Sequence, residues 1–120
     1  MLKVHAKRLD AVEVLSLEGQ IINGDTEVLR NVVQLADKHA TREIILDLSN
    51  VSIVDAHGLG VLLQLREQTI ARGIHLELRN PSQPLFRVFE ITRLNTVFDI
   101  DSAVEFSSEF AYVQRMPVAA

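Results

Sequence analysis

The run Glu43-Ile44-Ile45-Leu46-Asp47-Leu48-Ser49 constrains the fold more than any other part of the chain. Four of its seven residues are large aliphatics with little alternation, the pattern of a central strand covered on both faces. Leu59, Leu62, Leu63, Leu65 and Ile70 follow at helical spacing until Arg72-Gly73 ends the run, and Ile74, Leu76 and Leu78 then alternate with polar residues. Strand, helix and strand within about 35 residues form a βαβ unit, with parallel strands and a right-handed crossover.

The flanks extend this unit. Leu2, Val4 and Ala6 alternate, Arg8 to Ala11 turns the chain, and Val12 to Leu17 alternate again, which predicts a hairpin. Gly19 to Gly24 reads as a connection with Ile21-Ile22 packed inward. Val28, Leu29, Val32, Val33 and Ala36 form a helical stripe with Asp25 as its N-cap. Beyond Asn80-Pro81, Ser82 caps a helix bearing Leu85, Val88 and Phe89, with Pro84 in its first turn. Thr96 to Ile100 predicts a short last strand. Ser102 and Glu105, at capping-box spacing, predict a final helix carrying Val104 and Phe110. The expectation is one α/β domain over residues 1–114, a mixed sheet with an antiparallel first strand and a parallel centre packed with about four helices, then a loose tail over 115–120.

Composition narrows the function. A net charge of -4, with the three lysines all at or before Lys38 and nine scattered arginines, argues against nucleic acid. No apolar run approaches the roughly 20 residues of a membrane span, and the first residues lack the apolar core of a signal peptide. With no cysteine there is neither disulfide nor thiolate chemistry, which suits a reducing cytoplasm.

Ligands and partners of such sheets favour the loops beyond the carboxyl ends of parallel strands, which here means Asp47 to Gly60. His57-Gly58-Leu59-Gly60 opens the helix where a phosphate cradle would sit, but Leu63 takes the place of the third glycine of a dinucleotide fingerprint. The two glycines then serve close packing of the helix start. Asp47 and Asp55 lack the acidic pair and late lysine of an aspartyl-phosphate site. Ser49, Ser52, Asp55 and His57 crowd into one short segment without a nucleophile elbow or an oxyanion loop. His5, His39, His57 and His75 show no metal-ligand spacing. No cofactor or metal is expected. What remains is a docking surface, with Asp55 as N-cap, Ala56, His57 and Gly58 in the first turn, and Gly58 keeping the face low for a partner.

The segment Ile45-Leu-Asp-Leu-Ser-Asn-Val-Ser-Ile-Val-Asp-Ala-His-Gly-Leu-Gly-Val-Leu-Leu63 resembles the signature of the STAS domain, found in bacterial anti-sigma factor antagonists and in the cytoplasmic tails of sulfate transporters. Leu17 to Val33 resembles the family's second strand and first helix entrance, and His75 to Ile100 its next strand, third helix and last strand. The resemblance implies a non-enzymatic cytoplasmic protein that binds an anti-sigma factor of the serine-kinase type and so frees a sigma factor. Its partner-binding residues would be Asn23, Gly24, Asp25, Asp55, Ala56, His57, Gly58 and Leu59. The family pattern reads Asp-Ser-Ser-Gly, with the second serine phosphorylated; here it reads Asp55-Ala56-His57-Gly58. His57 offers no hydroxyl, which leaves Ser49 and Ser52 as candidate substitute acceptors, against the plainer reading of both as polar loop residues bonding nearby backbone. The alternative is a scaffold or sensor subunit of a larger complex, binding a small ligand or nucleotide.

Overall fold

The aliphatic run becomes the middle strand of a five-stranded sheet whose strands stand in chain order, β1-β2-β3-β4-β5. The structure is a computed structural model and describes residues 1–36 and 39–101. β1 (Lys3–Leu9) pairs antiparallel with β2 (Val12–Ile21). β3 (Glu43–Val54), β4 (His75–Arg79) and β5 (Asp99–Asp101) then add in parallel. Between them lie α1 (Glu27–Gln34), α2 (Ala56–Ala71), α3 (Gln83–Ile91) and a 3-10 turn (Leu94–Thr96). The expected mixed sheet and βαβ unit are present, with three α-helices among the described residues. The helix expected from Ser102 onward, the domain end at 114 and the tail lie outside the described residues.

Every parallel crossover moves the chain one strand further in the same direction, so right-handed connections put all three helices on one face. The core agrees. Leu29 and Val33 of α1, Val61, Leu62 and Leu65 of α2, and Leu85 and Phe89 of α3 join Leu15, Leu17, Ile44, Leu46, Leu48, Leu76 and Leu78 in one cluster. Phe89 meets Phe98 edge-to-face, with ring centroids 6.0 Å apart and planes at 67°, a favoured geometry. Ile45, one residue out of phase, is buried yet stands outside that cluster.

Four boundaries differ from expectation. β2 runs on to Ile21 rather than yielding to a connection at Gly19, because register shifts between Ser16 and Glu18 and between Gly19 and Gln20 let it bend while still pairing with β3. Gly19 makes the bend feasible. It has φ +119, and a Cβ there would stand 2.2 Å from the Met1 carbonyl oxygen. β3 likewise continues through Asn50-Val51-Ser52-Ile53 to Val54, a stretch whose polar residues read as a connection; Val51 and Val54 are buried. Thr26, not Asp25, occupies the N-cap position of α1, and its side chain makes no capping bond. The last strand begins at Asp99, after Leu94–Thr96 has wound into the 3-10 turn.

Candidate functional site

The site forms where β3 ends and α2 begins. Asp55 has extended backbone (φ -90, ψ -178), and its side chain caps α2 as the sequence predicts. One carboxylate oxygen, Oδ1, accepts the Gly58 N–H at 2.7 Å. The other, Oδ2, accepts the Asn23 N–H at 3.1 Å, a contact between segments far apart in the chain. The Asp55 N–H in turn donates to the Ile21 carbonyl at 3.3 Å. Asp55 therefore ties the loop after β2 to the first turn of α2. The hydrogen bond from the Gly58 N–H, then that from the Asn23 N–H, hold its carboxyl below the usual carboxylate range, and the nearby His57 adds to the effect. A carboxylate so engaged is a structural anchor, not a free acid or base.

Gly58 is buried, and its missing side chain faces inward. A Cβ there would stand 2.0 Å from the Ile21 carbonyl oxygen and 3.0 Å from Val54 Cγ1. This corrects the expectation that Gly58 lowers the surface for a partner: the close approach is internal, between α2 and the end of β2. Gly60 does not share the packing role expected of both glycines, since a Cβ there would meet nothing within 4 Å. Leu59 is half-buried against the core. The outward positions of the turn are Ala56 and His57, both exposed.

The Asn23-Gly24-Asp25 loop lies beside this turn. Asn23 and Gly24 are exposed, while Asp25 is half-buried and forms an ion pair with the Met1 ammonium at 3.3 Å. Asn23, Gly24 and His57 join Thr26, Glu27 and Arg30 around a shallow depression of about 490 Å³. Arg30 Nη1 donates to Gln64 Oε1 at 3.0 Å, bridging α1 to α2. Thr26, Glu27 and Arg30 were not read as site residues from the sequence, where Glu27 serves only as an acid at the dipole end of the helix. The signal was the charge pair at i, i+3 in the first turn of a helix that starts beside the loop.

The serines fall elsewhere. Ser49 and Ser52 are exposed on the extended part of β3. The Ser49 N–H donates to Asp47 Oδ1 at 3.0 Å, and Ser52 Oγ donates to the Gly19 carbonyl at 3.3 Å. Among the described residues no hydrogen bond joins His57 to either serine, so the four residues Ser49, Ser52, Asp55 and His57 do not assemble as nucleophile, base and orienting acid. No described helix is long and apolar enough to cross a membrane.

Known proteins share this architecture. The chain is 35% identical over 92 residues to the anti-sigma-B factor antagonist of Bacillus subtilis, covering 76% of this chain and 83% of that one. Its fold is similar to that of a Thermotoga maritima protein assigned as an anti-sigma factor antagonist, with a TM-score of 0.74 at 21% identity over 91% of this chain and 94% of that one. It is also similar to a sulfate transporter family protein from Wolinella succinogenes, with a TM-score of 0.69 at 20% identity over 86% of each. The STAS domain sequence model matches residues 3–107, so the chain is a member of the STAS domain family.

Proposed function

We propose that this protein is a non-catalytic, cytoplasmic anti-sigma factor antagonist that docks a kinase-type anti-sigma factor with the entrance of α2 and so releases a sigma factor. The observation that carries this reading is the division of labour in Asp55-Ala56-His57-Gly58. Asp55 and Gly58 are consumed in building the turn, while Ala56 and His57 face outward beside the Asn23-Gly24 loop. The identity to the antagonist from Bacillus subtilis supports the same reading. Exposed Val28 on α1 and Ile53 near the end of β3 add apolar area of the kind an interface can cover. With an imidazole at the position where the family carries its phosphorylated serine, a serine kinase finds no acceptor hydroxyl there, and docking is not reversed by phosphate at that residue.

The test combines a binding assay with intact-mass spectrometry. The protein and His57→Ser are each mixed with the candidate anti-sigma kinases of the host, ATP and magnesium. The expected result is that both bind and only the serine variant gains a phosphate. His57→Glu should weaken binding by repulsion and desolvation at the interface. Wild-type affinity in His57→Glu would remove the assigned surface, and phosphate on the wild type would direct attention to Ser52 and Ser49.

A second reading, a scaffold or sensor that takes a small ligand, is favoured by the depression between α1 and α2. Its lining carries the Glu27 carboxylate as well as Arg30, and that carboxylate opposes an anionic ligand such as a nucleotide. The strand order offers no crevice either, since it never reverses within the parallel part of the sheet. A rise in melting temperature with nucleotides would support this reading.

A further inference from the structure

The register of the sheet gathers ligand-type side chains that the linear sequence keeps apart. Glu43 at the start of β3 stands beside His75 at the start of β4, and Glu77, two residues on, stands beside Asp99 on β5. Side chains alternate along a strand, so these four rise from one face of the sheet. It is the face away from the helices, because the intervening Ile44, Leu76 and Leu78 enter the core. His75 Nε2 lies 2.9 Å from Asp99 Oδ2 and 3.9 Å from Glu43 Oε2. One ligand atom from each of Glu43, His75 and Glu77 falls within 4.8 Å of the other two. The Glu77 and Glu43 side chains are only 14% and 27% exposed. Two poorly hydrated carboxylates therefore sit together, and the Arg79 guanidinium, 3.3 Å from Glu77, answers one of them.

We infer that Glu43, His75 and Glu77 form a three-ligand binding site for a divalent transition-metal ion of the zinc class, with the remaining position open to water. Ligands held about 2.0–2.2 Å from such an ion stand roughly 3–4 Å from one another, and the 3.9 Å between His75 Nε2 and Glu43 Oε2 falls in that range. The donor set, one imidazole nitrogen with carboxylate oxygens and no thiolate, suits zinc or cobalt better than magnesium or calcium, which prefer oxygen alone. An ion at this place relieves the repulsion between Glu43 and Glu77. Its ligands come from both strands, so it also clamps β3 to β4 at their amino ends. Spacing along the chain hides the site because its ligands are brought together by strand pairing rather than by a local motif. It lies at the amino ends of β3 and β4, whereas Asp55 follows the carboxyl end of β3, so it is separate from the proposed docking surface.

The experiment titrates the metal-stripped full chain with zinc chloride in a calorimeter and with cobalt chloride in a visible spectrometer. One equivalent of zinc is expected to bind, cobalt to show the d–d absorption of a low-coordinate protein site, and zinc to raise the melting temperature. His75→Ala and Glu77→Gln should each weaken zinc binding by roughly 100-fold or more, beyond the 10–100-fold typical of second-shell losses. His5→Ala, which removes an exposed imidazole on β1, should leave it unchanged. The near-isosteric Glu43→Gln, checked for native circular dichroism, carries the same test if His75→Ala fails to fold. The inference is overturned if the wild type shows no saturable one-equivalent binding, if binding survives His75→Ala or Glu43→Gln, or if magnesium binds as tightly as zinc.

Discussion

Gly58→Ala should destabilise this domain even though alanine is the better helix former. In an exposed helix interior the exchange is worth about 1 kcal/mol in favour of alanine, and Gly58 has no positive φ to forbid it. The Ile21 carbonyl oxygen, however, lies 2.0 Å from where the new Cβ must stand. Restoring ordinary contact requires the first turn of α2 and the end of β2 to part by about 1.4 Å, and such overpacking costs about 1–3 kcal/mol. The same movement pulls the Gly58 N–H from the Asp55 carboxylate that caps the helix. Clash and lost cap together exceed the propensity gain, for a net loss of about 1–2 kcal/mol. At roughly 4 °C per kcal/mol for a domain of this size, the melting temperature should fall by about 4–8 °C. Calorimetry and urea denaturation measure this directly. Gly60→Ala is the internal control: with nothing near its Cβ, it should be neutral or stabilising by up to about 1 kcal/mol. If Gly58→Ala stays within about 0.5 kcal/mol of the wild type, a range usual for surface changes, the close packing of α2 on β2 does not constrain this turn.

Other changes probe other parts of the chain. Asp55→Asn should flatten the acid limb of the stability curve. The folded state lowers the Asp55 pKa, so its contribution is full above the unfolded value near 3.8 and is lost as pH falls through the folded one; an acid limb identical to wild type would contradict this. Arg72→Met should loosen α1, because the Arg72 guanidinium donates to the carbonyls of Val33 and Ala36 at the end of that helix. Amide exchange in α1 should accelerate, with a cost of about 1–2 kcal/mol. Phe89→Ala should cost about 3–5 kcal/mol by emptying the fully buried site that packs on Phe98, as read from denaturant melts.

Patterns carried by consecutive side chains were legible in the sequence. The hairpin, the buried run of β3, the stripe of α2 and the caps Asp55 and Ser82 each depend on residues within one turn or one strand of one another. What escaped depends on partners that the chain supplies elsewhere. Asn50 to Ile53 look like a connection until β2, bent at Gly19, pairs with them. Asp25 has the chemistry of an N-cap, but the Met1 ammonium claims its carboxylate. The direction in which Gly58 is needed is set by Ile21, and the second duty of Asp55 by Asn23. At the proposed docking site the residue types were readable and their division into anchors and outward faces was not, because that division is made by long-range hydrogen bonds.

The chain-ordered sheet has a consequence for how the molecule comes into being. As the polypeptide leaves the ribosome, no strand has to hold a gap open for one not yet made. The hairpin of β1 and β2 is complete first, and each later strand, delivered by its own helix, finds its edge waiting. Loop closure is paid in short instalments, which keeps the entropic barrier to each pairing low. The growing edge is always the newest strand, so the segment most open to mispairing at any moment is also the one about to be covered.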